Sequence, residues 1–324
     1  MWAYVFRRLV YNIPVYLGIL LFMMLALRVQ DPVKAYLGKS SSVEQEEALR
    51  KNMDLDRPFI VQYADFVGKV VRFDYSAQSW SQPGKSVGDI LKTSIPPSLV
   101  VTVPTLFLSA MIGVVIALIS SYYRGRLPDK VLVFFAVIGM SISYLVYVVF
   151  GQFLGAFWPN YADWAIQPFA IQGYENPFGT PNVLGTWVTY CLLPVLIGVI
   201  VAMGYDTRFY RAVMVEESGR DYIVTALAKG ASKRKVMFVH MLKNAMIPII
   251  TRIMSTLPFL ITGSILLEMY FNIPGMGKQL ITALQSKDFP IIQAFVAVIA
   301  GMFILSIILT DILYALVDPR VRLS

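Results

Sequence analysis

Residues 221–244 read DYIVTALAKGASKRKVMFVHMLKN, a basic stretch between two long apolar segments. The first ten residues predict a short helix that Asp221 begins as N-cap and Gly230 ends at the C′ position. Ser232 predicts a second helix start directly afterwards. A helix of about two turns is marginal in water, because nucleation costs more than so few hydrogen bonds return. We therefore expect it to need a docking partner, and an ordinary solvated loop is the alternative. The apolar face is expected to contain Ile223, Ala226 and Leu227.

The composition indicates an integral membrane protein. The chain has 324 residues, of which 57% are hydrophobic and 15% charged, whereas soluble domains average roughly 45–50% apolar and about 25% charged residues. The net charge of +8 does not require a nucleic-acid partner, because the basic residues fall between the apolar runs and membrane orientation explains them. One cysteine and one histidine exclude an intrachain disulfide and argue against a metal site built on Cys or His. We expect no cofactor in this chain.

Apolar runs of about 20 residues are long enough to cross a bilayer as helices. Six such runs predict an all-α fold with six transmembrane helices, which places both termini on one side of the membrane. The predicted spans are 9–29, 98–121, 131–157, 185–204, 247–269 and 290–316.

The basic residues predict the orientation of these spans. Arg7 and Arg8 precede the first span, and further Lys and Arg residues cluster after the second, fourth and sixth spans, whereas the loop 158–184 has none. Cytoplasmic loops carry this excess of positive charge, and long outer segments translocate largely regardless of it. Both termini and the loop 205–246 are therefore predicted to be cytoplasmic.

The segment 30–97 is polar and predicts two amphipathic helices, at Ser42–Met53 and Pro58–Phe73. We interpret it as a small extracytoplasmic α subdomain in the first outer loop. The predicted organisation is an N-terminal span in 1–29, this subdomain in 30–97, a five-helix core in 98–316 that includes the loop 205–246, and a cytoplasmic tail in 317–324.

The chain lacks two common catalytic motifs. It contains no G-x-x-x-x-G-K-[ST] sequence, so we expect no ATP site of the P-loop type, and no H-E-x-x-H sequence. A transport or channel subunit is therefore favoured over a membrane enzyme.

The stretch Tyr222–Pro248 resembles the EAA loop of bacterial ABC-importer permeases, most of all the B-type permeases of the dipeptide/oligopeptide branch. Ala226 and Gly230 match the alanine and glycine of that motif. Val224 replaces its glutamate, but the Tyr-x-x-Thr-Ala form that starts at Tyr222 is common in this branch. The resemblance implies the type I importer permease fold, and coupling helices that seat in a groove of an ATPase subunit. The implied ATPase-coupling residues are Tyr222, Thr225, Ala226, Leu227, Lys229, Gly230, Ala231, Lys233 and Arg234.

Other short matches to the same family occur along most of the chain in the expected order. Lys229, Lys233, Arg234 and Lys235 are candidates to pair with acidic rims on the ATPase, and contact with lipid headgroups is the alternative. The further matching segments are Tyr4–Leu9, Arg124–Asp129, Gly263–Glu268, Pro274–Gly277, Asp288–Pro290, Asp311–Tyr314 and Asp318–Arg320.

The resemblance also implies the partners. A homologous second permease forms a heterodimer with this chain and supplies the other half of the translocation path. Two ABC ATPase subunits bind ATP and Mg. The remaining partners are an extracytoplasmic solute-binding protein and lipid of the bacterial inner membrane. Segment 30–97 is expected to contact the binding protein. The implied cargo is di- or oligopeptides, with nickel chelates or oligosaccharides as the alternative. An ATP-independent channel or secondary transporter is the rival function.

Charged and adaptable side chains within the spans are candidates to line the path. Glu268 is expected near the outer end of its span and in contact with interfacial water, and binding at the outer gate is the alternative. Asp311 is expected to pair within the bundle, with Arg252 as the suggested partner, and His240 to lie on a helix surface. Packing between helices is the alternative for the aromatic candidates. The possible path residues are Met140, Ser141, Tyr144, Tyr147 and Glu268.

Overall fold

The computed structural model describes residues 2–29, 33, 43–52, 55–162, 168–258 and 264–317. Throughout these ranges the regular elements are helices, and the β pairing is one isolated bridge between Gln78 and Ser86. The all-α prediction is confirmed. The helices are α1 (Trp2–Leu27), α2 (Val43–Asn52), α3 (Phe59–Val71), α4 (Val87–Tyr122), α5 (Leu127–Ser141), α6 (Tyr144–Tyr161), α7 (Val183–Glu217), α8 (Asp221–Ala228), α9 (Lys233–Ser255), α10 (Ile265–Tyr270), α11 (Met276–Ser286) and α12 (Phe289–Val317).

Five of these helices, α1, α4, α7, α9 and α12, are long and apolar enough to cross a membrane, and the bent pair α5 and α6 makes a sixth span if it counts as one. Several predicted boundaries are wrong: α7 continues to Glu217, beyond residue 204, and α9 ends at Ser255, before residue 269. Helix α4 starts at Val87, ahead of residue 98, because Ser86 caps its N-terminus and the first turns are buried against α11 and α12. Helix α9 starts at Lys233, ahead of residue 247, because its polar first turns continue into the apolar run without a break.

The predicted span 131–157 is not one straight helix. Helices α5 and α6 meet at an angle of 93°, because Ile142 and Ser143 adopt extended conformations with ψ of 134° and 140°. The break frees the carbonyl of Gly139, and the Tyr147 hydroxyl donates to that carbonyl at 3.0 Å. A side chain from the next helix thus satisfies a group that lipid could not.

Helix α7 is central to the bundle, since it packs along α4, α5 and α9, while α12 packs against α1 and α9. Helix α7 approaches α5 closely at Gly204. A Cβ atom at Gly204 would lie 3.0 Å from the Met140 nitrogen and 3.2 Å from the Ala136 carbonyl oxygen. The glycine therefore permits this close packing of two helix backbones.

The two helices predicted in segment 30–97 are present as α2 and α3, although the predicted end residues Ser42 and Met53 lie outside the described ranges. Helix α3 packs on α1 and α12 around Leu20, and its Tyr63 hydroxyl donates to the Leu17 carbonyl at 2.8 Å. These contacts join the segment to the helix bundle.

The charged side chains of the spans pair differently from the prediction. Asp311 pairs with Arg8, whose Nε lies 3.1 Å from its Oδ2, and so ties α12 to α1. Arg252 pairs instead with Asp206, with 3.2 Å between Nε and Oδ1, and so ties α9 to α7. The pairing of Asp311 with Arg252 is therefore wrong, because each has a nearer partner on a neighbouring helix. The matching residues Gly263, Asp318, Pro319 and Arg320 lie outside the described ranges.

Candidate functional site

The quoted stretch forms the short helix α8 between the ends of α7 and α9. Its first helical residue is Asp221, and Arg220 occupies the N-cap position without a side-chain cap. The prediction of Asp221 as N-cap is therefore wrong by one residue. The Asp221 carboxylate lies instead in the first turn, where it interacts favourably with the helix dipole, and its carbonyl accepts from the Thr225 hydroxyl at 3.0 Å.

The C-terminus of α8 is closed as predicted. Gly230 has φ of +82°, a left-handed conformation that glycine adopts without steric cost. The Gly230 N–H donates to the Leu227 carbonyl at 2.9 Å, and the Ala231 N–H donates to the Ala226 carbonyl at 3.1 Å. This pair of bonds is the Schellman motif, which turns the chain sharply into α9.

One face of α8 is fixed to the bundle. Ile223 is buried in an apolar cluster with Tyr210 and Met214 of α7 and Met237 of α9. The Tyr222 hydroxyl donates to Glu217 Oε2 at 2.8 Å, and partial burial raises the pKa of this phenol above its ordinary value. The surrounding helices thus supply the stabilisation that an isolated two-turn helix lacks.

The side of α8 that carries Val224 and Leu227 exposes apolar side chains. Val224 is 64% exposed and Leu227 is 47% exposed, whereas Ala226 packs against the cluster beneath the helix. The predicted placement of Leu227 on the buried face is therefore wrong, because Tyr222 rather than Leu227 flanks Ile223 on the inner side. An open depression between α8 and the first turns of α9 is lined by Thr225, Lys229, Gly230, Ala231, Lys235 and His240, among others.

The basic residues after α8 divide into two groups. Lys229, Lys233, Arg234 and Lys235 are all exposed, but Lys233 also has a partner within the chain. The Lys233 ammonium donates to the Tyr122 carbonyl at 2.9 Å and lies 4.5 Å from the centroid of the Tyr122 ring. Lys233 therefore closes the C-terminal end of α4, where a cation is favourable, and its charge is engaged within the chain.

The start of α9 agrees with the prediction. Ser232 is its N-cap, and its hydroxyl accepts from the Lys235 N–H at 3.3 Å. The next residues, Val236–Met241, form a π-helical turn that packs against α8. His240 is exposed on this turn, as predicted for a helix-surface residue.

The candidate path residues lie on α5, α6 and α10. Met140 and Ser141 lie at the end of α5, at the bend, and Ser141 is exposed. Tyr144 and Tyr147 of α6 are partly buried against the apolar core, and the Tyr144 hydroxyl is hydrogen-bonded to Ser264. Their role in lining a path stays a prediction.

Glu268 lies on α10, far along the chain from the bend between α5 and α6. Its contacts give it a structural role. It is 2% exposed, so the predicted contact with interfacial water is wrong. Its carboxylate accepts from the Ser98 hydroxyl at 2.6 Å and from the Lys278 N–H at 2.9 Å. A Cβ atom at Gly275 would lie 2.4 Å from its carboxyl carbon. Glu268 therefore fixes the turn between α10 and α11 against α4.

Sequence reasoning missed three buried carboxylates, those of Asp129, Asp206 and Asp288, of which the first and the last lie in segments with family matches. Asp129 in α5 is paired with Arg211 of α7, at 2.8 Å between Nε and Oδ1. Asp288, before α12, accepts from the hydroxyls of Ser79 and Ser81 at 2.6 and 2.7 Å. An aspartate within a short, otherwise apolar or basic motif was the signal that could have identified Asp129 and Asp288.

One sequence pattern has a purely structural explanation. Gly84–Gly88 reads G-x-S-x-G, which marks a nucleophile only on a strand-to-helix turn beside a base. Here the Ser86 hydroxyl accepts from the Asp89 N–H at 3.1 Å and caps α4. Among the residues that the structure describes, no group of three His, Cys, Asp or Glu side chains could hold a metal ion.

Comparison with known proteins places these features in one family. Residues 109–323 match the family model "Binding-protein-dependent transport system inner membrane component", and residues 1–89 match the model of its N-terminal region. The chain is 32% identical, over 99% of its length and all of the relative's, to a Sinorhizobium fredii protein named "Probable peptide ABC transporter permease protein". It is 29% identical, over 98% of both chains, to the glutathione transport system permease protein GsiC of Escherichia coli K12. The chain therefore belongs to the family of inner-membrane components of binding-protein-dependent transport systems, the non-catalytic permease subunits of ABC importers.

Proposed function

We propose that this permease subunit is driven by ATPase subunits that dock on α8. The observation that carries the proposal is the division of α8 into two faces. Ile223 is fixed in the bundle, while Val224 and Leu227 present apolar surface outward. Exposed apolar side chains grouped on one short helix are typical of a protein interface.

The charges around α8 support the same partner. Lys229, Arg234 and Lys235 follow α8 in the chain and are exposed, so the docking groove is expected to be apolar with an acidic rim. Lys233 is excluded from this set, because its ammonium group is engaged by Tyr122. Tyr222, Ala226 and Ala231 act from beneath as supports of α8, and Thr225 and Gly230 contribute to its exposed edge.

The proposed orientation follows from this assignment. ATPase subunits of importers work in the cytoplasm, so α8 and both termini lie on the cytoplasmic side of the bacterial inner membrane. The excess of Lys and Arg on that side agrees with the positive-inside rule. The segment 30–97 then lies outside, where it contacts the solute-binding protein.

The remaining partners complete the assembly. A homologous second permease supplies the other half of the path as a heterodimer. ATP and Mg bind to the two ATPase subunits, and this chain itself holds no cofactor. The bend after Ser141, with Met140, Tyr144 and Tyr147, lies beside the half of the path that this chain provides.

The proposed cargo is short peptides. Relatives that align with nearly the whole chain are named as permeases for peptides and for glutathione, which is itself a tripeptide. Partly buried aromatic and Met side chains at the bend, with adaptable surfaces, suit cargo of varied sequence.

The direct test is purification of the assembly from membranes, followed by reconstitution in proteoliposomes with the binding protein outside. We expect ATPase subunits to co-purify and labelled tripeptide to accumulate only with ATP inside. Uptake by this chain alone without ATP would instead establish the rival channel or secondary transporter. Uptake of a nickel chelate or an oligosaccharide, but not a peptide, would keep the mechanism and overturn the cargo.

A further inference from the structure

The buried Asp129 carboxylate joins three elements on the side of the bundle that carries α8. Asp129 is 3% exposed. Arg211 of α7 donates to it twice, from Nε to Oδ1 at 2.8 Å and from Nη2 to Oδ2 at 2.9 Å. The Gly125 N–H, in the turn between α4 and α5, donates to Oδ2 at 2.8 Å, and the Ser120 hydroxyl at the end of α4 donates to Oδ1. One carboxylate therefore holds α7, the end of α4 and the start of α5 together.

The geometry of the pair makes this link stiff. Two parallel N–H bonds from a guanidinium fix both the distance and the orientation of a carboxylate, and charged hydrogen bonds are the stronger ones. Both partners lie on helices, so their positions follow the movement of those helices. An exposed pair between the end of α7 and the N-cap of α8, Arg220 with Glu216 at 3.0 Å, does not reach α4 or α5 and provides a natural control.

A second link starts on the other side of α8. Lys233 lies in the first turn of α9, directly after the Schellman turn, and its ammonium group binds the carbonyl and the ring of Tyr122 at the end of α4. The helix before α8 and the helix after α8 are thus each tied to the turn between α4 and α5.

These links matter because α8 is continuous in the chain only with α7 and α9. Movement imposed on α8 can reach α4 and α5 only through contacts between side chains and backbones. Resting on the proposed function, we propose that Asp129, Arg211 and Lys233 are positioning residues that transmit movement of α8 to the turn between α4 and α5, so that four helices move as one body.

The proposal can be tested by spin-label distances in the assembled transporter with its ATPase subunits, without knowledge of the cargo. The buried Cys191 is first replaced by serine. Labels at the exposed Arg124 and Lys243 report the separation of the α4–α5 turn from α9. A reference pair at Lys243 and Ile60 of α3 reports whether α9 itself moves between the nucleotide-free state and the state trapped with ATP and vanadate.

We expect nucleotide to shift the reference distance while the distance between positions 124 and 243 stays within its nucleotide-free distribution. In the variant Asp129→Asn with Arg211→Gln and Lys233→Met, nucleotide should also shift the distance between 124 and 243. Arg220→Gln should behave as the native protein. When the triple variant carries Lys233→Arg in place of Lys233→Met, part of the coupling should return. The triple variant avoids a buried unpaired charge, so normal assembly yield separates transmission from misfolding.

Two results would overturn the proposal, and they differ in what else they overturn. A nucleotide-dependent shift between 124 and 243 in the native complex, or no such shift in the triple variant, defeats the transmission role alone. A complex in which nucleotide shifts neither pair defeats the proposed function and this inference with it.

Discussion

The C-terminal turn of α8 allows a prediction whose size can be worked from geometry. Gly230 has φ of +82°, and no atom lies within 4 Å of the position of a Cβ at this residue. Substitution there meets no clash, so its cost is the backbone conformation alone. Left-handed geometry costs an L-residue about 1–2 kcal/mol, and β-branched residues are the least tolerant.

The interactions that stabilise the ordered α8 against this cost are few. Burial of Ile223 contributes about 1.5–3 kcal/mol, and the hydrogen bond from Tyr222 to Glu217 contributes about 1 kcal/mol or more. Gly230→Val should therefore lower the equilibrium constant for the ordered α8 by about 5- to 30-fold. We expect the loss of activity to increase from Gly230→Asn through Gly230→Ala to Gly230→Val.

The assay is ATP-driven uptake by proteoliposomes of the complete transporter, with membrane level measured in parallel. Gly84 offers a matched control, because it has φ of +83° with open space around its Cβ position and lies in the loop before α4, remote from α8 in the chain. Gly84→Val should leave uptake near the native rate. Native uptake by Gly230→Val, or equal losses at both glycines, would refute the reasoning that α8 must be ordered.

Three further predictions concern packing. Ile223→Ala should remove about 2–5 kcal/mol of local stabilisation and expose α8 to proteolysis while the protein remains inserted; unchanged cleavage would contradict its role as anchor. Gly204→Ala should cost about 1–3 kcal/mol by overpacking and lower the thermal midpoint in detergent, whereas Gly301→Ala, which meets no atom within 4 Å, should not; equal midpoints would contradict the close approach. Glu268→Ala should lower the midpoint more than Glu268→Gln, because an unsatisfied buried donor costs about 1–3 kcal/mol; the reverse order would contradict the carboxylate's role.

The sequence predicts the fold well where the signal is local. Apolar runs of the right length identify α1 and α12, and Gly230 and Ser232 identify the end of α8 and the start of α9. Helix ends that depend on other elements are missed. Helix α4 extends back to Val87 because α11 and α12 cover its first turns, and no local pattern contains that contact.

The candidate site is only partly predictable for the same reason. A three-residue period places Ile223 and Ala226 on the buried face, but the position of α8 against α7 and α9 decides that Leu227 is exposed. Lys233 reads as one basic residue among several, and only the folded chain places its ammonium group on Tyr122. The bend between α5 and α6 carries no proline or glycine at Ile142 and Ser143, so the sequence gives a continuous apolar run there.

The most direct test of the central claim is photo-crosslinking from the exposed face of α8. A benzophenone is attached at Val224→Cys in a Cys191→Ser background, and the purified complete transporter is irradiated. We predict a covalent adduct between this chain and an ATPase subunit, identified by mass spectrometry, and none from Ile60→Cys on α3. A transporter that hydrolyses ATP yet gives no such adduct from position 224, or the same adduct from position 60, would contradict docking on α8.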